Sequence, residues 1–219
     1  MARPPSGDAD AGRPLSLRFY ARPVLVVARA VLGRLLVVDL PAGRTSGRIV
    51  EVEAYGGRLD PASHAYGGQT ERNAVMFGRA GHAYVYFTYG MHHCFNLVTG
   101  SEGSASAVLV RALEPVDGID LMERRRGARP IELLASGPGN LTRALGLTRA
   151  DNRCDLTRGP IWISDLPASR GGARILRSPR IGIRKATEKR WRLYLAGHPS
   201  LSAARDRSRR RPAVRASRG

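Results

Sequence analysis

The stretch YVYFTYGMHHCFN, residues 84–96, carries five of the chain's eleven Tyr and Phe side chains: Tyr84, Tyr86, Phe87, Tyr89 and Phe95. Two of the five histidines, His92 and His93, stand there too. Its flanks, AYVYFT and CFNLV, alternate with period two. Successive side chains of a strand point to opposite faces, so Tyr84 and Tyr86 face one way and Val85 and Phe87 the other. In the second half Phe95 and Leu97 oppose Asn96. The intervening YGMH, with Gly90, supplies a turn. The stretch therefore predicts a β-hairpin that sends Val85, Phe87, Phe95 and Leu97 into the core. Tyr84, Tyr86 and Asn96 share the other face. Tyrosines also cover sheets for no functional reason, which leaves both readings open for Tyr84 and Tyr86. Tyr89 falls at the tip, where a core has no use for it. An aromatic ring at an exposed tip in a basic chain reads as a wedge for a base stack.

Outward from the hairpin, strand and helix signals are mixed. RPVLVVARAVLGR reads as a helix, with Pro23 in its first turn and Gly33 as its stop. LLVVDL and SGRIVEVEAY read as strands joined through PAGRT. PVDGIDLMERRR reads as a helix entered near Asp117, and GPGNLTRALG as a short helix between Pro138 and Gly146. PIWIS, RIGI and RWRLYLAG read as later strands. Strands joined by hairpins, with helices interspersed, predict an α+β fold: one domain with a curved, mainly antiparallel sheet, a protruding hairpin and surrounding helices. The expected limits are a disordered tail over residues 1–14, a folded domain over 15–202 and a disordered basic tail over 203–219.

Composition narrows the partner. The chain has 219 residues and a net charge of +18, and its cations are nearly all arginine. The last residues, ARDRSRRRPAVRASRG, hold seven Arg against Asp206, so the rest of the chain still carries +12. A basic body points to a nucleic acid. No amphipathic anchor accompanies the charge, no apolar run reaches membrane-span length, and no secretion segment opens the chain. Two cysteines, Cys94 and Cys154, make no disulfide framework, so a reducing, cytoplasmic setting is expected, at the nucleoid if the source is bacterial.

The chemistry-bearing residues cluster upstream of the hairpin. In GRIVEVEAYGG, Glu51, Glu53 and Tyr55 alternate with Val50, Val52 and Ala54. On its own that polar face reads as solvated. A glutamate two residues from a tyrosine, on a strand running into a glycine-rich loop, also suits a general base. The loop brings His64 and Tyr66. Arg111, in SAVLVRALEP, is either exposed at an edge or paired with a buried carboxylate, and Glu53 is available. His92, His93 and Cys94 lack metal-ligand spacing, and no metal or other cofactor is expected. SGPGNL offers helix N-terminal N–H groups to an anion or is an ordinary turn; Asn140 and Arg143 are candidate DNA contacts there.

Together, GRIVEVEAY, DPASHAYGGQTERNAVMF, YVYFTYGMHHCFN, VLVRALEP, LASGPGNL and RIGI, in that order over about residues 18–202, resemble the alkyladenine (3-methyladenine) DNA glycosylase family of the vertebrate type. The resemblance implies a monofunctional glycosylase of base excision repair. It would flip alkylated or deaminated purines out of duplex DNA and hydrolyse the N-glycosidic bond, acting as a monomer. It further implies that Tyr55, His64 and Tyr86 form the base pocket and Asn96 stands where the 2-amino group of guanine must go. Tyr89 would fill the vacated stack, and Glu53, with Arg111 beside it, would activate water. Pulling a base from the stack takes a few kcal/mol, which aromatic stacking of roughly 1–3 kcal/mol per base helps to offset. Three rival readings exist. An RNA-binding protein explains the charge and Tyr86 but not Glu53. A lyase needs an amine nucleophile, and Lys185 and Lys189 lie far along the chain from the motifs. A sugar hydrolase needs a second acid, for which only Glu51 shares the face.

Overall fold

The computed structural model describes residues 11–88 and 92–202. The fold is organised by one long strand. LLVVDL forms β1 (Leu35–Leu40), and after a tight turn the chain returns as β2 (Gly43–Tyr55). One edge of β2 pairs along its length with β5 (Ser106–Asp117). Its other edge changes partner: β1 covers residues 43–48, and β8 (Arg192–Leu195) covers 51–53. The register against β5 shifts on both sides of Glu51. An extra residue there bends the strand and sharpens its twist, which is why the sheet divides at that point.

The remaining strands complete an eight-stranded sheet of order β3-β4-β5-β2-β1-β6, with β8 on β2 and β7 on β8, every pairing antiparallel. The hairpin strands are β3 (Ala83–Thr88) and β4 (His92–Thr99). β6 (Ile161–Ile163) is the expected PIWIS strand, and β7 spans Ile175–Ser178. RIGI, expected as a strand, is not one: residues 180–183 are a strap fixed by side chains, and the strand lies just before it.

Among the described residues, six short helices surround the sheet: α1 (Leu17–Tyr20), α2 (Val24–Val31), α3 (Ala74–Phe77), α4 (Ile119–Arg126), α5 (Ile131–Leu134) and α6 (Pro138–Leu145). α2 packs on β2 and β5, α6 on β4 and β5, and α4 on α6. This α+β domain has its main core between helices and sheet, with Tyr20, Val27, Val31, Val50, Val52, Phe95, Leu97, Val110 and Leu141 buried in it. A smaller cluster around Ala65, Met76, Tyr84 and Ala107 lies apart from it. α4 starts later than its sequence suggested, because β5 continues to Asp117 and Gly118 turns the chain with φ of 68°. A Cβ there would meet the Arg44 carbonyl at 2.3 Å, so only glycine fits. Arg13 and Pro14, placed in the N-terminal tail by the sequence, pair with Asp165 and Ser164. Residues 203–219 lie outside the described residues, as does Tyr89.

The hairpin protrudes as expected. β5 backs β4 only from Asn96 onward, so residues 92–95 of β4 and their partners on β3 form a two-stranded arm. This corrects one expectation. Phe87, expected in the core, is 43 % exposed because it lies on the arm beyond the sheet, where its ring meets His93 at 5.1 Å.

A candidate active site on the open face of the sheet

The pairing registers set out a row of side chains across the sheet. Tyr84 pairs with Asn96, Asn96 with Leu109, Leu109 with Glu53, and Glu53 with Arg192. Residues two positions along each strand share this face, so Tyr86 and Cys94 extend it toward the hairpin and Tyr55 and Ala107 toward the glycine loop. Tyr55, His64, Met76, Tyr84, Tyr86, Cys94, Asn96, Leu109 and Arg111 line a cavity of about 520 Å³. That volume suits a small organic ligand. Four of the expected pocket residues, Tyr55, His64, Tyr86 and Asn96, thus stand in one wall, and Tyr84 joins them.

Local bonds hold the aromatic wall. The Asn96 side-chain amide donates to the Tyr84 carbonyl at 2.9 Å. His64 Nδ1 and the Tyr84 hydroxyl are 2.9 Å apart, and the His64 ring meets Tyr86 edge-on at 4.6 Å. The loop carrying His64 is pinned by Asn73, whose side-chain amide donates to the carbonyls of His64 and Gly68 at 2.9 and 3.0 Å. Burial, and then the charge of Arg72, hold the His64 pKa below its usual value. Burial pushes the Tyr84 hydroxyl up to about 12, and pushes Tyr86 up further with help from Cys94. The wall is therefore neutral at physiological pH.

Below the wall lie the two glutamates, and both are fully buried. Their face is not solvated, because Arg111 and the chain's C-terminal segments cover it. Glu53 Oε1 accepts from the Ile181 backbone N–H at 2.7 Å and faces Arg111 Nη1 at 3.3 Å, while Oε2 accepts from the Tyr55 hydroxyl at 2.8 Å. Glu51 accepts from Arg111 Nε at 3.1 Å, from Arg192 Nε at 2.6 Å, and from the backbone and hydroxyl of Ser202 at 2.6 and 2.7 Å. Arg111 is thus paired with both. Burial alone would lower its pKa, but Glu53 and Glu51 outweigh that and raise it. A carboxylate offers about four acceptor sites. Glu51 takes four donors from the protein, three of them on Oε1, whereas Glu53 takes three. Glu51, tied to two arginines and to Ser202, reads as a structural anion rather than as the second acid of a sugar hydrolase.

A second clip holds the strap over the site. Arg180 donates to both oxygens of buried Asp60, at 2.9 Å for Nη2, and to the Ala54 carbonyl at 2.9 Å. Burial works to raise the Asp60 pKa, yet Arg180 and the N–H groups of Gly56 and Ala62 hold it below the usual range. The Arg180 guanidinium also stacks 4.8 Å from the Tyr55 ring centre. The strap then runs through Ile181, Gly182, Ile183, Arg184 and Lys185, all of which line the cavity. Lys185, set aside for its distance along the chain, is therefore at the site, solvent-exposed and 5.9 Å from the ring of the half-exposed Tyr66. Sequence reading also missed Cys94 and Met76. The period-two rule places Cys94 beside Asn96, so its position was available; that of the strap was not. Asn140 and Arg143 lie apart. Asn140 bonds back to the Ser136 carbonyl at 2.6 Å, and Arg143, in a separate groove with Arg125, donates to the Arg125 carbonyl at 2.7 Å. Among the described residues, no group of three or more His, Cys, Asp or Glu side chains is gathered as a metal site would need, and no helix is long and apolar enough to cross a membrane.

A family model described as methylpurine-DNA glycosylase matches residues 18–199, which span every element of this site. The chain belongs to that family. It is 52 % identical over 190 residues to a protein of Methanoculleus marisnigri, covering 86 % of this chain and 98 % of the relative. It is 46 % identical over 192 residues to one of Chlorobaculum tepidum, with 86 % and 90 % covered. With a relative from Rhodopseudomonas palustris it shares 50 % over 191 residues, with 87 % and 91 % covered. All three relatives are named as 3-methyladenine DNA glycosylases. Members of the methylpurine-DNA glycosylase family are hydrolases of N-glycosyl bonds and serve DNA repair, so the substrate of this chain is DNA.

Proposed function

We propose that this glycosylase flips a damaged purine into the aromatic cavity and hydrolyses its N-glycosidic bond with water activated by Glu53. The observation that carries the reading is the position of Glu53, bonded to Tyr55, Arg111 and Ile181, all three of which line the aromatic cavity. Tyr55, Ile181 and Arg111 hold this carboxylate directly beneath a wall of rings, where a water brought in with the substrate would meet it. In the reaction, that water adds to the anomeric carbon, its proton passes to Glu53, and the bond from sugar to purine nitrogen breaks with its electron pair leaving on the base. The negative carboxylate also stabilises the positive charge that builds on the sugar.

Tyr55, His64 and Tyr86 sandwich and hold the base, and Asn96, fixed by its bond to Tyr84, sits where the 2-amino group of an undamaged guanine would fall. Tyr89, between the two strands of the arm, would fill the gap in the duplex. Arg184 and Lys185 at the rim suit the phosphates on either side of the flipped nucleotide. Water rather than an amine is the nucleophile, because exposed Lys185 lacks the desolvation that activates a lysine. The enzyme acts as a monomer on damaged genomic duplex inside the cell.

The test is a base-release assay on duplexes carrying single hypoxanthine or 7-methylguanine residues. Released base with a strand that breaks only under alkali is expected. Strand breakage without alkali, with a borohydride-trapped adduct at Lys185, would replace the water with an amine.

A further inference from the structure

Among the described residues outside the cavity lining, one exposed cation stands close to the aromatic wall without a counter-ion. Arg72 stands over the Tyr86 ring, its guanidinium carbon 5.2 Å from the ring centre. Its Nη2 donates to the Phe87 carbonyl at 3.2 Å, which ties it to the hairpin arm. Its backbone is held by the next residue, Asn73, through the bonds to His64 and Gly68 and a 2.7 Å contact from the Thr70 N–H. Among the described residues no carboxylate lies within ion-pairing distance of it. Of the other cations at the site, Arg111 is paired with both glutamates, while Arg184 and Lys185, exposed as Arg72 is, line the cavity at its rim. No acidic residue lines the cavity itself; Glu53 lies behind Tyr55 and Arg111, its charge paired with Arg111.

We infer that Arg72 is a specificity-determining residue that biases the pocket toward neutral damaged purines and against purines made cationic by alkylation at a ring nitrogen. This rests on the reading of the cavity as the base pocket. Both classes gain from stacking on Tyr86, and a cationic base gains more from the electron-rich ring face. Arg72 already occupies that attraction, and it repels a second positive charge stacked against the same ring. Arg72 lies 5.2 Å from the ring centre, within the Debye length of about 8 Å at physiological salt, so screening removes only part of the repulsion. Burial, and after it the same charge, lower the His64 pKa.

The test compares single-turnover release of 7-methylguanine, a cationic base, with that of hypoxanthine, a neutral one, from otherwise identical duplexes. The ratio of the two rates is read for wild type, Arg72→Gln and Arg72→Lys. Being a ratio, it does not depend on how much of each variant folds. Arg72→Gln is expected to raise the cationic-to-neutral ratio by about 3–10-fold, the range for a partly screened charge pair. Arg72→Lys, which keeps the charge, should stay within about twofold of wild type. An unchanged ratio in Arg72→Gln would overturn the proposal, leaving Arg72 a mere brace of the arm. Equal shifts in both variants would also overturn it, since shape rather than charge would then be at work. A separate control addresses the pocket itself: if Tyr86→Ala leaves both rates untouched, the base does not stack there and the cavity reading fails first.

Discussion

Glu53→Gln separates chemistry from architecture at this site. Glutamine is the same length, and its carbonyl can keep the Ile181 N–H at 2.7 Å and Arg111 at 3.3 Å. Its amide would face the Tyr55 hydroxyl, which can turn to accept. All three contacts therefore persist, and Arg111 retains Glu51 as its counter-ion. The stability loss should stay near 1–2 kcal/mol, the difference between charged and neutral hydrogen bonds. The rate loss should be far larger. Removing a general base costs about 10²–10⁴-fold. A carboxylate about 5 Å from the developing sugar cation, at an effective dielectric near 20, contributes on the order of 3 kcal/mol more. Part of that overlaps with the base term, so a total loss of about 10³–10⁵-fold is expected. The assay is single-turnover release of hypoxanthine at saturating enzyme, beside a titration of the same duplex and a thermal melt. Binding should hold or tighten as a negative charge leaves the DNA-facing side. A mutant that melts normally, binds, and loses less than tenfold in rate would remove Glu53 from the reaction.

The neighbouring carboxylate should behave in the opposite way. Glu51→Gln leaves Arg111 and Arg192 short of a buried counter-charge and should cost about 3–5 kcal/mol in urea unfolding, with excision per folded molecule reduced much less than in Glu53→Gln. Asp60→Asn strips Arg180 of its partner and frees the strap. A melting temperature lower by several degrees and a rise in KM for lesion duplex are expected, and unaltered values in both would deny the strap a role. His64 binds its proton less readily folded than unfolded, since its pKa is lowered from 6.5. Its contribution to stability is thus complete above about pH 6.5 and is lost as pH falls toward the folded value; His64→Gln should flatten the melting temperature across that window, and an unflattened curve would place the effect elsewhere.

Much of this site was written in alternation. The hairpin, the face shared by Tyr84, Tyr86 and Asn96, and the glutamate–tyrosine face of β2 followed from period two alone, because a strand leaves no choice of side. Burial did not follow. Phe87 obeys the same alternation as Val85 yet lies outside, since where the arm outruns β5 depends on pairing between distant segments. Glu51 and Glu53 looked solvated because their cover comes from Arg111, Ile181, Arg192 and Ser202. The strap carries no period at all. Ile181 meets Glu53 through its backbone, which any residue but proline could do, so its type gives no sign of the contact.

The distance along the chain between Glu51 and Ser202, 151 residues, has a bearing on time. At a synthesis rate of about 5–20 residues per second, Glu51 leaves the ribosome roughly 8–30 s before its last partner is made. Glu53 waits 128 residues for Ile181 and Asp60 waits 120 for Arg180. A nascent chain therefore has the strand, the hairpin and the rings long before Glu53 is held in place. On the proposed role of Glu53, base release would wait for residues 181–202 to be made, long after the rings that are to hold the base.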